Sequence, residues 1–399
     1  MRKLFIGMAV FITVAAVFAA LAIDQSFTRT ELPYRAYGID GVFVDIQPGE
    51  SSGTIAKSLA SAGVVRDEWT FRLAVWRSGL ARDLQAGEYY FNGELSSRQV
   101  ADTIASGQVY LRPITFPEGL TVSEMADIFN IRGFGDREAF LEEVQRVELI
   151  SDLDSDAKTL EGYLFPETYL LPRDATASDL VEAMVTQFRQ TFSEAVQEEA
   201  FRHDFSVREV VTLASLIQKE TGSAGEHRIV SAVYNNRLRI GMALQCDPTV
   251  IYALQLDGLY DGNLTRDNLQ HDSPYNTYRY PGLPPGPIAA PGLGALSAAV
   301  DPEDVSYLYF VSRNDGSHEF ANTLREHNRN VQRYQVDYFR ARRRSQSTER
   351  NYLIGLCPRQ CGGASGCLLV DLAVSDFPIR VLQYRKEQWL PHLRRHYLQ

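Results

Sequence analysis

Glu220 is the residue of this sequence whose type and position are best suited to chemistry. It lies near the end of a segment, Ser206 to Gly222, that predicts one helix. Apolar residues recur there at three- and four-residue spacing, which marks the buried face of a helix. They are Val210, Leu213, Ala214 and Ile217. Glu220 follows Ile217 by three residues, so its carboxyl is predicted to point inward with this stripe.

An inward carboxyl is costly to keep ionised, because burial disfavours the charged form and raises the pKa. A carboxyl that holds its proton near neutral pH can act as a general acid. The alternative for Glu220 is a structural acid satisfied by hydrogen bonds. Glu209, the other acid of this helix, has a simpler explanation, because Ser206 followed three residues later by Glu209 predicts a capping box.

Amide, phenol and imidazole side chains that could face Glu220 occur further along the chain. A site of this composition suits a sugar, because hydroxyls pair with amides and aromatic faces cover a pyranose ring. For Tyr275 and Tyr278 the alternative is packing under a proline-rich loop, and for His318 it is a structural role on a hairpin. The candidates are Asn235, Asn236, Gln245, Tyr275, Asn276, Tyr278, His318, His327 and Asn328.

Glycoside hydrolysis ordinarily takes two carboxylates. Asp247, Glu226 and Glu167 are weaker candidates for a second one. Asp247 followed by Pro248 predicts a helix N-cap with proline at the first helical position. A single acid/base suffices when the substrate carries its own nucleophile, as the C6 hydroxyl of a muramoyl sugar does. The sequence contains no Gly-rich phosphate loop, H-E-x-x-H or G-x-S-x-G motif.

The N-terminus carries an uncharged apolar run, Leu4 to Ile23, that follows Arg2 and Lys3. The run is long enough to span a bilayer as a helix. The basic residues before it predict an N-terminus in the cytoplasm and export of the rest. A cleaved signal peptide is the alternative, since Ala20-Leu-Ala22 is typical of a cleavage site.

The rest of the chain predicts an α+β fold. Residues 24–40 are expected to be a linker, 41–158 an α+β region and 159–345 a larger mixed α+β domain with helices over 178–202, 206–221 and 226–239. Val42 to Ile46 predicts a strand, as do Pro113 to Phe116, each followed by Pro, Gly and a helix. This repeated opening resembles the start of a LysM-type module, a small unit that often contacts glycan; a generic strand-to-helix turn is the alternative.

The composition of the chain limits which classes of partner and cofactor we expect. The formal net charge of −10 argues against a nucleic-acid partner. Three cysteines, Cys357, Cys361 and Cys367, cluster in the segment 346–399, at a spacing that fits no common zinc site. In an oxidising compartment, two of these cysteines can form a disulfide. We therefore expect no metal and no cofactor, and we assign the tail no role.

Several long motifs, in order along the chain, resemble the YceG-like (MltG-type) endolytic murein transglycosylases. The resemblance covers the apolar N-terminal run and about residues 41–345, and the tail from about residue 351 falls outside it. The motifs are Leu160-Glu-Gly-Tyr-Leu-Phe-Pro-Glu-Thr-Tyr169, Leu213-Ala-Ser-Leu-Ile-Gln-Lys-Glu-Thr221, Asn236-Arg-Leu-Arg-Ile-Gly-Met-Ala-Leu-Gln-Cys-Asp-Pro-Thr-Val-Ile-Tyr252, Tyr275-Asn-Thr-Tyr278, Gly282-Leu-Pro-Pro-Gly-Pro-Ile-Ala289 and Tyr307-Leu-Tyr-Phe-Val311.

The resemblance implies a single-pass inner-membrane protein with a LysM-like domain and a periplasmic catalytic domain. It implies cleavage of MurNAc-GlcNAc bonds within nascent glycan strands, which leaves 1,6-anhydro-muramoyl ends and terminates polymerisation. Peptidoglycan strands are then the substrate and peptidoglycan synthases candidate partners. The family's catalytic glutamate corresponds to Glu220. Its substrate-site positions correspond to Asn236, Gln245, Asp247, Tyr275, Asn276 and Tyr278.

One position departs from the family pattern: Cys246 stands where a threonine is expected. Two rival functions remain open. A hydrolytic muramidase would need a second carboxylate to position water, whereas a non-catalytic glycan-binding scaffold would not depend on Glu220.

Overall fold

A computed structural model describes residues 2–202 and 205–344 of the chain. The tail from 346 to 399, with Cys357, Cys361 and Cys367, lies outside the described residues, and so does any disulfide among them. The helices are α1 (Arg2–Glu31), α2 (Ser52–Ser61), α3 (Glu68–Ser78), α4 (Ser97–Ala105), α5 (Val122–Ile131), α6 (Arg137–Glu143), α7 (Ala177–Thr191), α8 (Glu194–Arg202), α9 (Val207–Glu220), α10 (His227–Arg239), α11 (Asp247–Leu256), α12 (Leu293–Val300) and α13 (Leu324–Val331). The strands are β1 (Val42–Ile46), β2 (Gly87–Phe91), β3 (Arg112–Thr115), β4 (Thr168–Leu171), β5 (Tyr309–Ser312) and β6 (His318–Ala321).

The described chain has mixed α+β structure, as the sequence predicts, and it forms two compact units. The first contains residues up to Thr115, together with Ile131–Gly135 and Thr168–Leu180. The second contains Phe116–Asn130, Asp136–Glu167 and the described residues from Val181 onward. The strands pair as three two-stranded antiparallel ladders, β1 with β2, β3 with β4 and β5 with β6.

The first unit has a small core between one ladder and three helices. Val42 pairs with Phe91 and Ile46 with Gly87, and the buried residues of β1, Val44 and Ile46, alternate along the strand. Ile46, Leu59 and Phe71 are buried in one cluster that β1, α2, α3, β2 and α4 share. The strand predicted over Val42 to Ile46 is therefore confirmed. The chain order of this core is β1-α2-α3-β2-α4, and we call its first four elements the β1-α2-α3-β2 core.

The N-terminal helix is longer than the sequence predicts. It continues through Glu31, so the first residues of the expected linker are helical. The stretch Val10–Glu31 is long and apolar enough to cross a membrane, a test that a signal sequence near the N-terminus also passes. None of the apolar window within this stretch is buried inside the protein, whereas Thr30 near its end is buried.

The core of the second unit is built around α9. The capping box predicted for its N-terminus is present, because Ser206 accepts from the backbone of Glu209 and the Glu209 side chain accepts in return. Val210, Leu213 and Ile217 are fully buried. Helices α10, α11 and α12 pack against α9. The predicted helical stripe is thus confirmed, and it holds the last turn of α9 in a fixed place.

The helix expected over 178–202 is instead two helices, α7 and α8, with a break after Thr191. Phe192 is buried and stacks on Phe188 with ring centroids 5.5 Å apart. Its carbonyl accepts a hydrogen bond from the Gln197 side chain. This side-chain bond and the tertiary packing of Phe192 outweigh the local preference to continue the helix.

The motif that begins at Leu160 is structural. Gly162 has φ +82°, and a Cβ there would lie 2.4 Å from Pro287 Cβ, so the position favours glycine both by conformation and by space. The Tyr163 hydroxyl donates to Asp154 at 2.6 Å, and Arg208 pairs with the same carboxylate. Residues of this motif therefore join the proline-rich loop and the start of α9.

Glu161, in the same motif, is a buried carboxyl at the beginning of α5. It accepts from the Val122 amide at 3.2 Å and from the Tyr252 hydroxyl at 3.3 Å. Burial raises its pKa from 4.5 to about 8, although both hydrogen bonds favour the charged form. The folded protein therefore keeps a proton on Glu161 that the unfolded chain releases above pH 4.5.

We expect Glu161 to make the protein less stable as pH rises. Its folded pKa lies above the unfolded value, so its stabilisation is complete below pH 4.5 and declines up to about pH 8. The decline between pH 4.5 and pH 7 amounts to about 3 kcal/mol. The measurement is the free energy of unfolding from pH 4.5 to 8 for wild type and Glu161→Gln. A variant with the same pH slope as wild type would contradict this account.

Candidate active site around Glu220

Glu220 is the last residue of α9, and its side chain is partly exposed. The apolar stripe positions its Cα, and Thr221 then turns the chain into an extended conformation. One carboxyl oxygen, Oε2, accepts from the Tyr234 hydroxyl at 3.2 Å and lies 3.6 Å from the Cys246 Sγ. The carboxyl thus has two protein donors, and the residue as a whole is part-buried.

The surroundings of Glu220 favour its protonated form. Desolvation raises the pKa of Glu220 first, and the charge of nearby Asp247 raises it further. His318 and the hydrogen bonds from Tyr234 and Cys246 oppose this, but the net direction is upward. A carboxyl with a raised pKa is suited to donate a proton near neutral pH.

Asp247 lies beside Glu220, and its role differs from the predicted N-cap. Cys246 is the N-cap of α11, without a side-chain hydrogen bond, and Asp247 is the first helical residue. The Asp247 carboxylate instead accepts a hydrogen bond from the Tyr278 hydroxyl at 2.5 Å. Burial raises the pKa of Asp247, which the Tyr278 bond lowers in part. The predicted cap is therefore wrong, and the carboxyl faces the site.

The loop that carries Tyr278 is tied to the beginning of α11. The Thr277 carbonyl accepts from the Gln245 amide at 3.2 Å, and the Thr277 hydroxyl accepts from the Cys246 amide at 3.0 Å. Thr249 hydrogen-bonds the same hydroxyl at 2.9 Å. These bonds hold Tyr278 opposite Asp247.

His318 enters the site from β6 and is held by Glu226. Its Nδ1 lies 2.7 Å from Glu226 Oε2, and its backbone amide donates to Oε1 at 2.9 Å. The Thr221 hydroxyl, next to Glu220, also donates to Oε2 of Glu226 at 3.2 Å. Phe310 contacts the imidazole edge-on. Glu226 therefore fixes a histidine whose charge acts on Glu220.

We expect Glu226→Gln to weaken both the fold and the site. The change removes the charge from the hydrogen bonds to His318 and Thr221, which are worth about 1.5–3 kcal/mol in partly buried positions. The measurement is the free energy of unfolding, with His271 and its surface partner Asp257, 2.7 Å apart, as the comparison. The surface variant Asp257→Asn should lose at most about 1 kcal/mol. Equal losses in the two variants would contradict a special role for Glu226.

Two predicted substrate contacts have their amides occupied by the protein. Asn236 donates to the carbonyls of Val305 and Tyr307 at 2.8 and 3.0 Å. Asn276, fully buried, donates to the carbonyls of Leu269 and His271 at 3.0 and 2.7 Å. Both side chains hold loops in place, and their contact with substrate stays a prediction.

Tyr275 and Gln245 have contacts outside the Glu220 group, the name we give to Glu220, Glu226, Tyr234, Cys246, Asp247, Tyr278 and His318. The Tyr275 ring packs on Tyr252 with centroids 5.0 Å apart, and burial raises the pKa of its hydroxyl. Gln245 is exposed at a positive φ of 49°, an uncommon conformation for a residue with a side chain. Its side chain is available to a ligand at the surface.

Sequence reasoning missed Tyr234, the Cys246 thiol and the importance of Glu226. Tyr234 lies in a run of residues at helical spacing, and nothing local distinguishes it from a core tyrosine. From the sequence, Glu226 is only one of three weaker candidates for a second carboxylate. Glu167, another of these candidates, is exposed in the structure. Among the residues that the structure describes, no cluster of three or more His, Cys, Asp and Glu side chains is arranged to hold a metal.

Comparison with known proteins agrees with this geometry. The model of the YceG-like family matches residues 44–333, which include every residue of the Glu220 group. The chain belongs to the YceG-like family. The resemblance carried by the sequence motifs is thereby confirmed, and with it the assignment of this chain to a family of lytic transglycosylases.

Curated relatives of this YceG-like protein carry a common name. The endolytic murein transglycosylase of Bacillus subtilis is 34% identical over 311 residues, which cover 73% of this chain and 84% of the relative. The endolytic murein transglycosylase of Streptococcus pneumoniae is 30% identical over 336 residues, covering 75% of this chain and 59% of the relative. The chain therefore spans about three-fifths of the pneumococcal protein.

A solved structure is also similar. The crystal structure of a yceG-like protein from Listeria monocytogenes aligns with a TM-score of 0.51 and 29% identity. The alignment covers 73% of this chain and 99% of the Listeria chain. The likeness supports the same mixed α+β fold.

Proposed function

We propose that this protein is an endolytic murein transglycosylase in which Glu220 is the general acid and base. The observation that carries the proposal is the environment of Glu220. Glu220 is part-buried, its carboxyl has two weak protein donors, and its pKa is raised by desolvation and by Asp247. Family membership supplies the substrate class, because the curated relatives are named for action on murein.

The reaction needs two proton transfers through one carboxyl. Protonated Glu220 donates to the glycosidic oxygen as the bond from C1 of the muramoyl residue breaks. The C6 hydroxyl of the same residue forms a bond to C1 and gives its proton to the Glu220 carboxylate. The products are a 1,6-anhydro end and a free hydroxyl on the leaving sugar, and no water is consumed. Intramolecular attack of this kind benefits from high effective molarity.

The neighbours of Glu220 favour each of the two proton transfers in turn. Before cleavage, the charge of Asp247 favours the protonated acid. After proton donation, Tyr234 and His318 favour the carboxylate that must accept the second proton. Asp247, whose charge acts on Glu220, would also stabilise the positive charge that develops at C1.

The hydrolytic alternative is favoured by one observation, the second carboxyl of Asp247. A muramidase would use it to activate water, and every cleavage would add one water to the product. The hydrogen bond from Tyr278 lowers the capacity of Asp247 to accept a proton. We therefore propose that Asp247 acts by its charge.

The wider setting is also part of the proposal. Helix α1 would anchor the protein in the inner membrane with the described residues after α1 in the periplasm, since a basic N-terminus and an apolar span favour that orientation. The β1-α2-α3-β2 core would act as a LysM-like contact for glycan. Cleavage of nascent strands beside the synthases would terminate their growth.

A cleavage assay tests the proposal. The full chain in detergent is incubated with uncrosslinked peptidoglycan strands, and strand length is followed by chromatography with mass spectrometry. We expect shorter strands with anhydro-muramoyl ends. Strands that bind the protein and keep their length would instead support the non-catalytic scaffold.

A further inference from the structure

Two tryptophans of the first unit are exposed to solvent. Trp69 and Trp76 have 57% and 72% of their surface accessible, although tryptophan is usually well buried in folded proteins. The chain has only three tryptophans, and the third, Trp389, lies outside the described residues. Large apolar side chains left in water on one element mark a surface that binds something.

The two tryptophans occupy one face of α3. They are seven residues apart, and Arg72 lies between them at helical spacing on the same exposed side. The opposite face of α3 is buried in the core through Phe71 and Val75. We name the exposed side, formed by Trp69, Arg72 and Trp76, the α3 tryptophan face.

Helix α3 packs against the C-terminal end of α1. The Arg77 guanidinium lies 4.9 Å from the ring centroid of Phe27 and 3.7 Å from the Glu31 carboxylate. Arg98 of α4 pairs with the same carboxylate at 3.7 Å. Trp76 precedes Arg77 in the sequence. It therefore lies close to the part of α1 that directly follows the apolar stretch.

The distance along α1 fits the headgroup layer of a bilayer. Phe27 follows the last residue of the uncharged run, Ile23, by four residues, which is about 6 Å along a helix. The polar layer on each side of the hydrocarbon is roughly 5–7 Å thick. A residue at the level of Phe27 thus lies within that layer when α1 spans the membrane.

We propose that the α3 tryptophan face lies in the headgroup layer of the membrane that α1 crosses. This inference depends on membrane anchoring by α1 and not on the chemistry of Glu220. Indole rings favour this layer because they combine an apolar body with one N–H donor. The Arg72 guanidinium, which has no ion-pair partner among the described residues, matches lipid phosphate between the two rings.

A lipid surface fits better than the other occupants of an aromatic face. A glycan or a partner protein could also cover tryptophan, but neither explains why the face is next to the end of the apolar helix. Contact with lipid would fix the tilt of the first unit relative to the membrane through two anchors, α1 and α3. The β1-α2-α3-β2 core would then have a defined orientation to strands emerging from the membrane surface.

Fluorescence quenching by brominated lipid tests the proposal. Two full-chain variants each keep one of these tryptophans: Trp76→Phe with Trp389→Phe, and Trp69→Phe with Trp389→Phe. Each is reconstituted into phosphatidylethanolamine–phosphatidylglycerol vesicles with bromine on acyl carbons near the headgroup. We expect both variants to lose most of their emission there, and to lose less in vesicles brominated at the bilayer centre.

Several results would overturn the proposal. Emission that resists brominated lipid and is quenched by acrylamide in either variant would show a face in water, available to a protein or a glycan. Protein that fails to float with the vesicles would exclude the anchor as well. Glu220→Gln in the same background should leave the quenching unchanged, so a failure of this proposal is separable from a failure of the catalytic one.

Discussion

Glu220→Gln should lower the rate of strand cleavage by about 10²- to 10⁴-fold, the range that general acid–base catalysis contributes. Glutamine keeps the shape and the acceptor oxygen for Tyr234 but has no proton to donate to the glycosidic oxygen. The rate is measured in single turnover, so that product release does not hide the chemical step.

The same variant should be as stable as wild type or more so at neutral pH. The folded pKa of Glu220 is raised above its ordinary value of 4.5, so its stabilising contribution falls as pH rises through that folded pKa. Glutamine does not titrate, so the variant does not lose this contribution. The unfolding temperature at pH 5 and pH 8 checks the sign.

Glu198→Gln is the matched control for this prediction. Glu198 is an exposed acid on α8, outside the Glu220 group, and its replacement should leave the cleavage rate within a factor of two or so of wild type. Equal rates for Glu220→Gln and wild type would remove Glu220 from the catalytic step.

Asp247→Asn should lower the rate at neutral pH by roughly 10- to 100-fold and move the alkaline limb of the pH–rate profile to lower pH. The charge of Asp247 raises the pKa of Glu220, so its removal leaves less of the acid protonated. Tyr234, Cys246 and His318 remain, and all three act in the lowering direction. The variant also loses the negative charge that we propose stabilises the positive charge developing at C1.

The pH–rate profile separates this account from hydrolysis. If Asp247 acts by its charge, the Asp247→Asn variant regains part of its rate at acidic pH, where Glu220 is again protonated. Two results together would make Asp247 the base of a muramidase. The variant would stay inactive at every pH, and the wild-type enzyme would yield ends that are heavier by one water. Tyr278→Phe is the conservative control, since it removes only the hydrogen bond to Asp247.

The local features of the site could be predicted from the sequence. The three- and four-residue spacing of Val210, Leu213 and Ile217 predicts that the Glu220 side chain points inward. The capping box of Ser206 predicts where the helix begins. Both features depend on residues within four positions of each other. Local spacing carries such information because helical neighbours are three and four residues apart.

The parts that could not be predicted depend on residues far apart in sequence. Asp247 has the local pattern of an N-cap, yet its partner is a tyrosine 31 residues later. Asn276 has the composition of a sugar contact, but its amide is bound by carbonyls of the loop that precedes it. The pair of Glu226 and His318 spans 92 residues. Only the fold shows which polar groups still have capacity for a ligand.

The most direct test of the central claim is cleavage of glycan strands in water enriched in heavy oxygen, followed by mass spectrometry of the new ends. The account predicts 1,6-anhydro ends without heavy oxygen, because the C6 hydroxyl and not water attacks C1, and it predicts no such ends with Glu220→Gln. New ends that are heavier by one water and carry heavy oxygen would contradict it and make the enzyme a hydrolase.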